Sequence, residues 1–146
     1  MIELRNYQEE AIAALYRWFE TETGNPLVVA PTGSGKSIIL AEFTRRAVQE
    51  FPGTRVMVVT HVKELIAQHH AALLRLWPDA PAGIYSAGLG KRQAHAQILF
   101  AGVQSVARQV QRIGHVDLVI IDEAHLIPRA RDTLYPEAII LGSAKR

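Results

Sequence analysis

An α/β fold, with a mostly parallel sheet covered by helices on both faces, is the architecture this sequence predicts. Three observations carry that prediction. Four apolar runs recur along the chain, at residues 27–30 (LVVA), 55–59 (RVMVV), 97–100 (QILF) and 116–121 (VDLVII). Three of them are nearly continuous rather than alternating, the pattern of strands buried on both faces. Helix-like stretches separate the runs, and strand–helix alternation implies right-handed crossovers between parallel strands.

Each element has its own local signal. Asn6 with Glu9 reads as an N-cap and its capping-box partner, opening a helix over residues 7–21 with Ala11, Ile12, Leu15 and Phe19 on one face. A second helix starts at Gly35-Lys36 and runs to Glu50, where Pro52-Gly53 ends it. A third covers residues 62–77, stopped by Pro78, with Val62, Leu65, Ile66, Leu73, Leu76 and Trp77 as its apolar stripe. His69 falls on that stripe and reads as a satisfied core histidine. A weaker strand is predicted at 83–86 and a short helix at 104–110.

Size and composition bound the rest. At 146 residues the chain fits one domain, 1–146, and 49% hydrophobic residues suffice for a core. Cysteine is absent, which excludes disulfides, iron–sulfur clusters and thiolate zinc. The opening MIELRNYQEE lacks an apolar core of the signal-peptide kind. No apolar run approaches the roughly 18 residues of a membrane span, so no membrane partner and a cytoplasmic location are expected. The net charge of +2 permits contact with a nucleic-acid backbone without requiring it.

Two motifs carry the chemistry. APTGSGKS, residues 30–37, lies between a predicted strand and a predicted helix. Gly33 and Gly35 let the backbone curl around a phosphate and turn its N–H groups inward, with Thr32 and Ser34 completing the loop. The helix that follows presents its positive end. Lys36 supplies a full charge for the β- and γ-phosphates, and the Ser37 hydroxyl is suited to ligate Mg2+. Ala30 stands where the general phosphate-loop pattern has Gly. In the second motif, DEAH at 122–125, Asp122 ends a strand from which it can reach the same metal, while Glu123 can orient a water and accept its proton. Lys36, Asp122 and Glu123 are thus the predicted catalytic set, with a nucleoside triphosphate and Mg2+ as what they hold. Ligands of such sheets gather at the carboxyl ends of the strands. The loop after Ala30, Thr60-His61 and Asp122-Glu123 all map there.

APTGSGKS, VIIDEAH and the early LRNYQ together resemble the first RecA-like lobe of superfamily 2 helicases and translocases, in the branch of RadD-like and restriction-subunit translocases. The resemblance implies a RecA-like P-loop NTPase domain with ATP and Mg2+ as its cofactors. It implies that Gln8 reads the adenine edge, with Arg5 and Tyr7 framing the base. VVTHVKELIAQ, 58–68, is similar to the family's segment Ia, which makes Thr60, His61 and Lys63 nucleic-acid contacts. AGVQSVAR, 101–108, is similar to a later backbone-binding segment, adding Gln104 and Ser105. The resemblance also implies, more weakly, a further contact loop from Ser86 to Arg92, and a role for His125 in coupling the acidic pair to motion between lobes. LGSAKR, 141–146, stands where members carry a Ser/Thr-Ala-Thr segment.

These readings leave two functions open. The first is the ATP-binding lobe of a nucleic-acid helicase or translocase, with DNA favoured over RNA. Its arginine finger would come from a second lobe or a partner chain, so the isolated lobe is expected to turn over weakly or not at all. The second is a nucleotide-binding module or remnant without productive turnover. A P-loop kinase is a weaker third reading, because it leaves DEAH and Gln8 unexplained.

Overall fold

The computed structural model describes residues 2–31 and 33–123. Its elements are α1 (Asn6–Thr21), α2 (Lys36–Glu50), β1 (Val56–Thr60), α3 (Lys63–Leu76), β2 (Ala82–Ser86), β3 (Lys91–Arg92), β4 (Ile98–Gly102), α4 (Val103–Arg108), α5 (Val110–Ile113) and β5 (Leu118–Ile121). The five strands form one sheet in the order β3-β2-β4-β1-β5. All neighbours are parallel except the short edge strand β3, which turns back antiparallel on β2.

Continuous apolar strands imply two covered faces, and both are present. Met57, Val59, Leu99 and Ala101 face a cluster with Tyr85, Val106, Ile113 and Val116. The alternate residues Val56, Val58, Ile98 and Phe100 pack with Ile66, Ala72 and Leu73 of α3 and Ala41 and Val48 of α2. The period-2 geometry of a strand explains the split, since successive side chains leave opposite faces. Outside this layer, Ile12 of α1 packs on Ile39 and Phe43 of α2.

Three expectations need correction. Residues 27–30 form no strand: they join no ladder, and Leu27, Val28 and Val29 are exposed. An apolar run signals a tendency to be buried, not a particular edge to pair with, and β5 pairs only with β1 among the described residues. The cap of α1 lies one residue earlier than predicted. Arg5 is the N-cap, and its backbone N–H donates to Gln8 Oε1 at 2.9 Å, so Gln8 rather than Glu9 turns back. The helix predicted at 104–110 is two short helices, 103–108 and 110–113, broken at Gln109 (φ −132°, ψ 30°).

Candidate functional site: a phosphate loop facing an acidic strand end

The register of the sheet builds the site. Val59 pairs with Ala101 and with Ile121, and the backbone N–H of Asp122 donates to Val59 O at 3.1 Å. Thr60, Gly102 and Asp122 therefore lie in one row at the carboxyl edge of the sheet. Facing that row is the loop that opens α2.

Gly35 is the N-cap of α2 in the left-handed region, at φ +79° and ψ 39°. A side chain there would be strained, and its Cβ would lie 2.6 Å from Gln8 Nε2. Gly33 is also left-handed (φ +81°), and a Cβ there would meet nothing within 4 Å. The first bonds of α2 run from Ile38 and Ile39 N–H to Gly35 O, so the amides of Gly35, Lys36 and Ser37 precede the first helical bond. Ser34 Oγ is buried without a hydrogen-bond partner among the described residues. Open space over Gly33, early helix amides, an unpartnered buried hydroxyl and a lysine together suit a triphosphate tail.

Across the gap stand the two carboxylates. Lys36 Nζ is 3.2 Å from Glu123 Oε1. Asp122 is held at both oxygens: Oδ2 by His69 Nε2 at 2.7 Å and Oδ1 by the backbone N–H of Glu123 at 3.0 Å. The His69 hydrogen bond, working against burial, holds the Asp122 carboxyl below its ordinary range, with Lys36 adding a smaller pull the same way. Glu123 has φ +56°, the one positive-φ residue other than glycine among those described. That conformation breaks the alternation of β5 directly after Asp122, and it is of the strained kind found at active sites. Ser37 Oγ accepts a hydrogen bond from Gln68 Nε2 at 3.2 Å. Among the described residues, no group of three or more His, Cys, Asp or Glu could hold a metal. Ser37 and Asp122 supply oxygens of the kind Mg2+ takes, since that ion needs few from protein and completes its shell with phosphates and water.

Residues 1–142 match the family described as type III restriction enzyme, res subunit. The chain belongs to this family. Its relatives include a Saccharomyces cerevisiae protein described as an ATP-dependent helicase, IRC3, which is 29% identical over 129 residues, covering 84% of this chain and 19% of that protein. Among solved structures, the type ISP restriction-modification enzyme LlaGI, in a complex with a DNA substrate mimic, matches with a TM-score of 0.60 and 20% identity, over 85% of this chain and 15% of that one. The UvsW helicase of bacteriophage T4 matches with a TM-score of 0.63 and 22% identity, over 97% of this chain and 48% of its own. The res-family chain thus has the fold of a first RecA-like helicase lobe and spans less than half the length of each of these relatives.

Within this res-family lobe the adenine candidates sit at the N-terminal end of α1, Arg5 as its N-cap and Tyr7 and Gln8 in its first turn. Gln8 is buried, with Oε1 on Arg5 N–H and Nε2 on Ser34 O at 3.2 Å, so it ties α1 to the phosphate loop. Tyr7 OH also donates to Ser34 O, and Arg5 is exposed beside it. Tyr7, Ala11, Val28, Pro31 and Ser34 line a cleft of about 530 Å3 next to the loop.

The nucleic-acid candidates gather at the same carboxyl edge, with one correction. Thr60 is 1% exposed, and its hydroxyl accepts from Val62 N–H at 3.3 Å. It shapes the turn into α3 instead of facing solvent. His61, Lys63 and Gln104 are exposed. Ser105 Oγ accepts from Ala87 N–H at 3.1 Å, joining α4 to the turn between β2 and β3. A Cβ at Gly88 in that turn would lie 3.0 Å from Lys63 Cδ, so Lys63 flanks it. Thr32 and His125, together with LGSAKR, lie outside the described residues.

Sequence reasoning passed over two contacts, both on α3. Gln68 reaches Ser37 and His69 reaches Asp122. A signal existed for the second: a polar ring on an apolar stripe must find a hydrogen-bond partner once buried. Nothing local names that partner.

Proposed function

We propose that this chain, as one domain over residues 1–146, is the ATP-binding lobe of an ATP-dependent nucleic-acid helicase or translocase, in which Mg-ATP hydrolysis is coupled to nucleic-acid binding. The observation that carries this reading is the meeting of Lys36, Asp122 and Glu123 at one sheet edge, opposite a loop shaped for phosphate. A remnant without turnover is not favoured, because the described positions such a site needs are filled by residues able to serve.

In this reading the amides of Gly33, Gly35, Lys36 and Ser37, with Thr32, the Ser34 hydroxyl and the Lys36 ammonium, hold the phosphates, while Ser37 and Asp122 hold Mg2+. Bound Mg-ATP supplies an electrophilic phosphorus with a good leaving group. Lys36 neutralises charge on the phosphate oxygens, and Glu123 orients the attacking water and takes its proton. Gln8 serves the adenine: an amide has two N–H donors and two acceptor lone pairs, and the contacts above commit one of each. Arg5 and Tyr7 frame the base. His61, Lys63, Gln104 and Ser105 contact the nucleic-acid backbone, and His125 couples the acidic pair to a second lobe. DNA is favoured over RNA, supported by the DNA substrate mimic bound to LlaGI.

The test is ATP binding and hydrolysis with and without single-stranded DNA, duplex DNA and RNA. Mg-ATP should bind, and Lys36→Ala should abolish binding. Without an arginine finger from a second lobe or partner, turnover should be at least ~1,000-fold slower than in a two-lobed relative. Unchanged ATP affinity in Lys36→Ala would overturn the reading.

A further inference from the structure

Successive residues of α3 reach two different elements of the nucleotide site. Gln68 touches Ser37 on α2, and His69 touches Asp122 after β5. Neighbours on a helix project about 100° apart, so one rigid rod can brace two separate ligands. We propose that His69 is a positioning residue of the metal site: its Nε2–H fixes the Asp122 carboxylate in the orientation that receives the divalent cation, with α3 as the brace.

Geometry and burial support this. The His69 side chain is 3% exposed and its contact to Asp122 is 2.7 Å. A carboxylate can only accept, so Nε2 carries the proton of that bond. Nδ1 is buried without a partner among the described residues. A buried unpaired polar atom disfavours the fold, so a residue serving only as packing would be better replaced by an apolar one. The bond to Asp122 is the contact that gives the imidazole a purpose. With Glu123 N–H on Oδ1, both carboxylate oxygens are pinned, and each keeps a lone pair for a cation. Partners in this outer position typically alter metal affinity by about 10–100-fold when removed.

The inference rests on the proposed role of Asp122, and the experiment separates the two. The probe is Mn2+ bound in the presence of a non-hydrolysable ATP analogue, read by electron paramagnetic resonance of free Mn2+ at one fixed pH. His69→Leu keeps the volume and loses the donor, and should weaken Mn2+ affinity roughly 10-fold or more. His69→Gln can place an N–H near the Nε2 position and should recover most of that loss. His69→Asn, whose N–H falls short, should not. Weak binding in Asp122→Asn beside full affinity in His69→Leu would make His69 a core residue and end the proposal. Full affinity in Asp122→Asn would remove the carboxylate from the metal and overturn the functional reading itself. Should His69→Leu fail to fold, the Gln and Asn variants decide: equal affinities in the two would sink the role.

Discussion

Lys36 and Glu123 form an ion pair across the site, with Nζ 3.2 Å from Oε1. The cation that suits a triphosphate and the carboxylate that suits a water are each other's partner here. In the proposed reading a triphosphate would compete with Glu123 for Lys36. Glu123→Gln should therefore leave ATP affinity unchanged or slightly tighter while lowering hydrolysis by about 100-fold or more. Equilibrium binding and single-turnover hydrolysis on one preparation check this, and hydrolysis equal to the unmodified chain would remove Glu123 as the base.

Gly35 tests the loop. A Cβ there meets a left-handed backbone and the Gln8 amide at 2.6 Å. Gly35→Ala should destabilise the chain by about 1–2 kcal/mol from backbone strain alone. It should weaken nucleotide binding more than it lowers stability, because it displaces the residue that ties α1 to the loop. Urea unfolding beside ATP titration gives both numbers, and unchanged nucleotide affinity would argue against the Gln8–loop contact.

Arg55 tests the opposite edge of the sheet. It precedes β1, and its guanidinium donates to the carbonyls of Ala94, Ala96, Ile113 and His115. Burial pulls its pKa down, partly offset by Asp117. Arg55→Ala strips several carbonyls of their donor and should cost about 2–4 kcal/mol of stability. Nucleotide affinity should not change, because the loop and acidic pair lie at the other end of the strands. Loss of ATP binding in a still-folded variant would contradict that placement.

Acid should unfold the protein through its depressed carboxylates. Asp122 is held down by His69, and Asp117 by the Arg55 backbone N–H and by His115. For Glu42, burial works upward, but hydrogen bonds from Arg45 and Arg46 outweigh it. A carboxyl with a lowered native pKa binds fewer protons folded than unfolded, so stability rises with pH in that range. The contribution is complete above about pH 4–5 and is lost as pH falls toward the native values. Urea midpoints from pH 6 to pH 2.5 should show this decline, less steep in Glu42→Gln. A midpoint independent of pH there would refute the linkage.

The amino-acid sequence by itself determined the sheet class, four of the five strands among the described residues, the long helices and the two motifs of the candidate nucleotide site. These are local properties: continuous Val, Ile and Leu runs favour burial on both faces, and glycines beside a lysine and a serine at a helix start mark a candidate phosphate loop within eight residues. Partners at long range were beyond it. Gln8 lies 26 residues from Ser34, and His69 lies 53 from Asp122. Periodicity foretold that His69 is buried, and only the packing of α3 on β1 and β4, with β5 paired beside β1, decided which group it serves. The same limit explains Thr60 and residues 27–30. Composition sets how strongly a segment avoids water, whereas the direction of a turn and the edge that accepts a strand depend on elements far away in the chain.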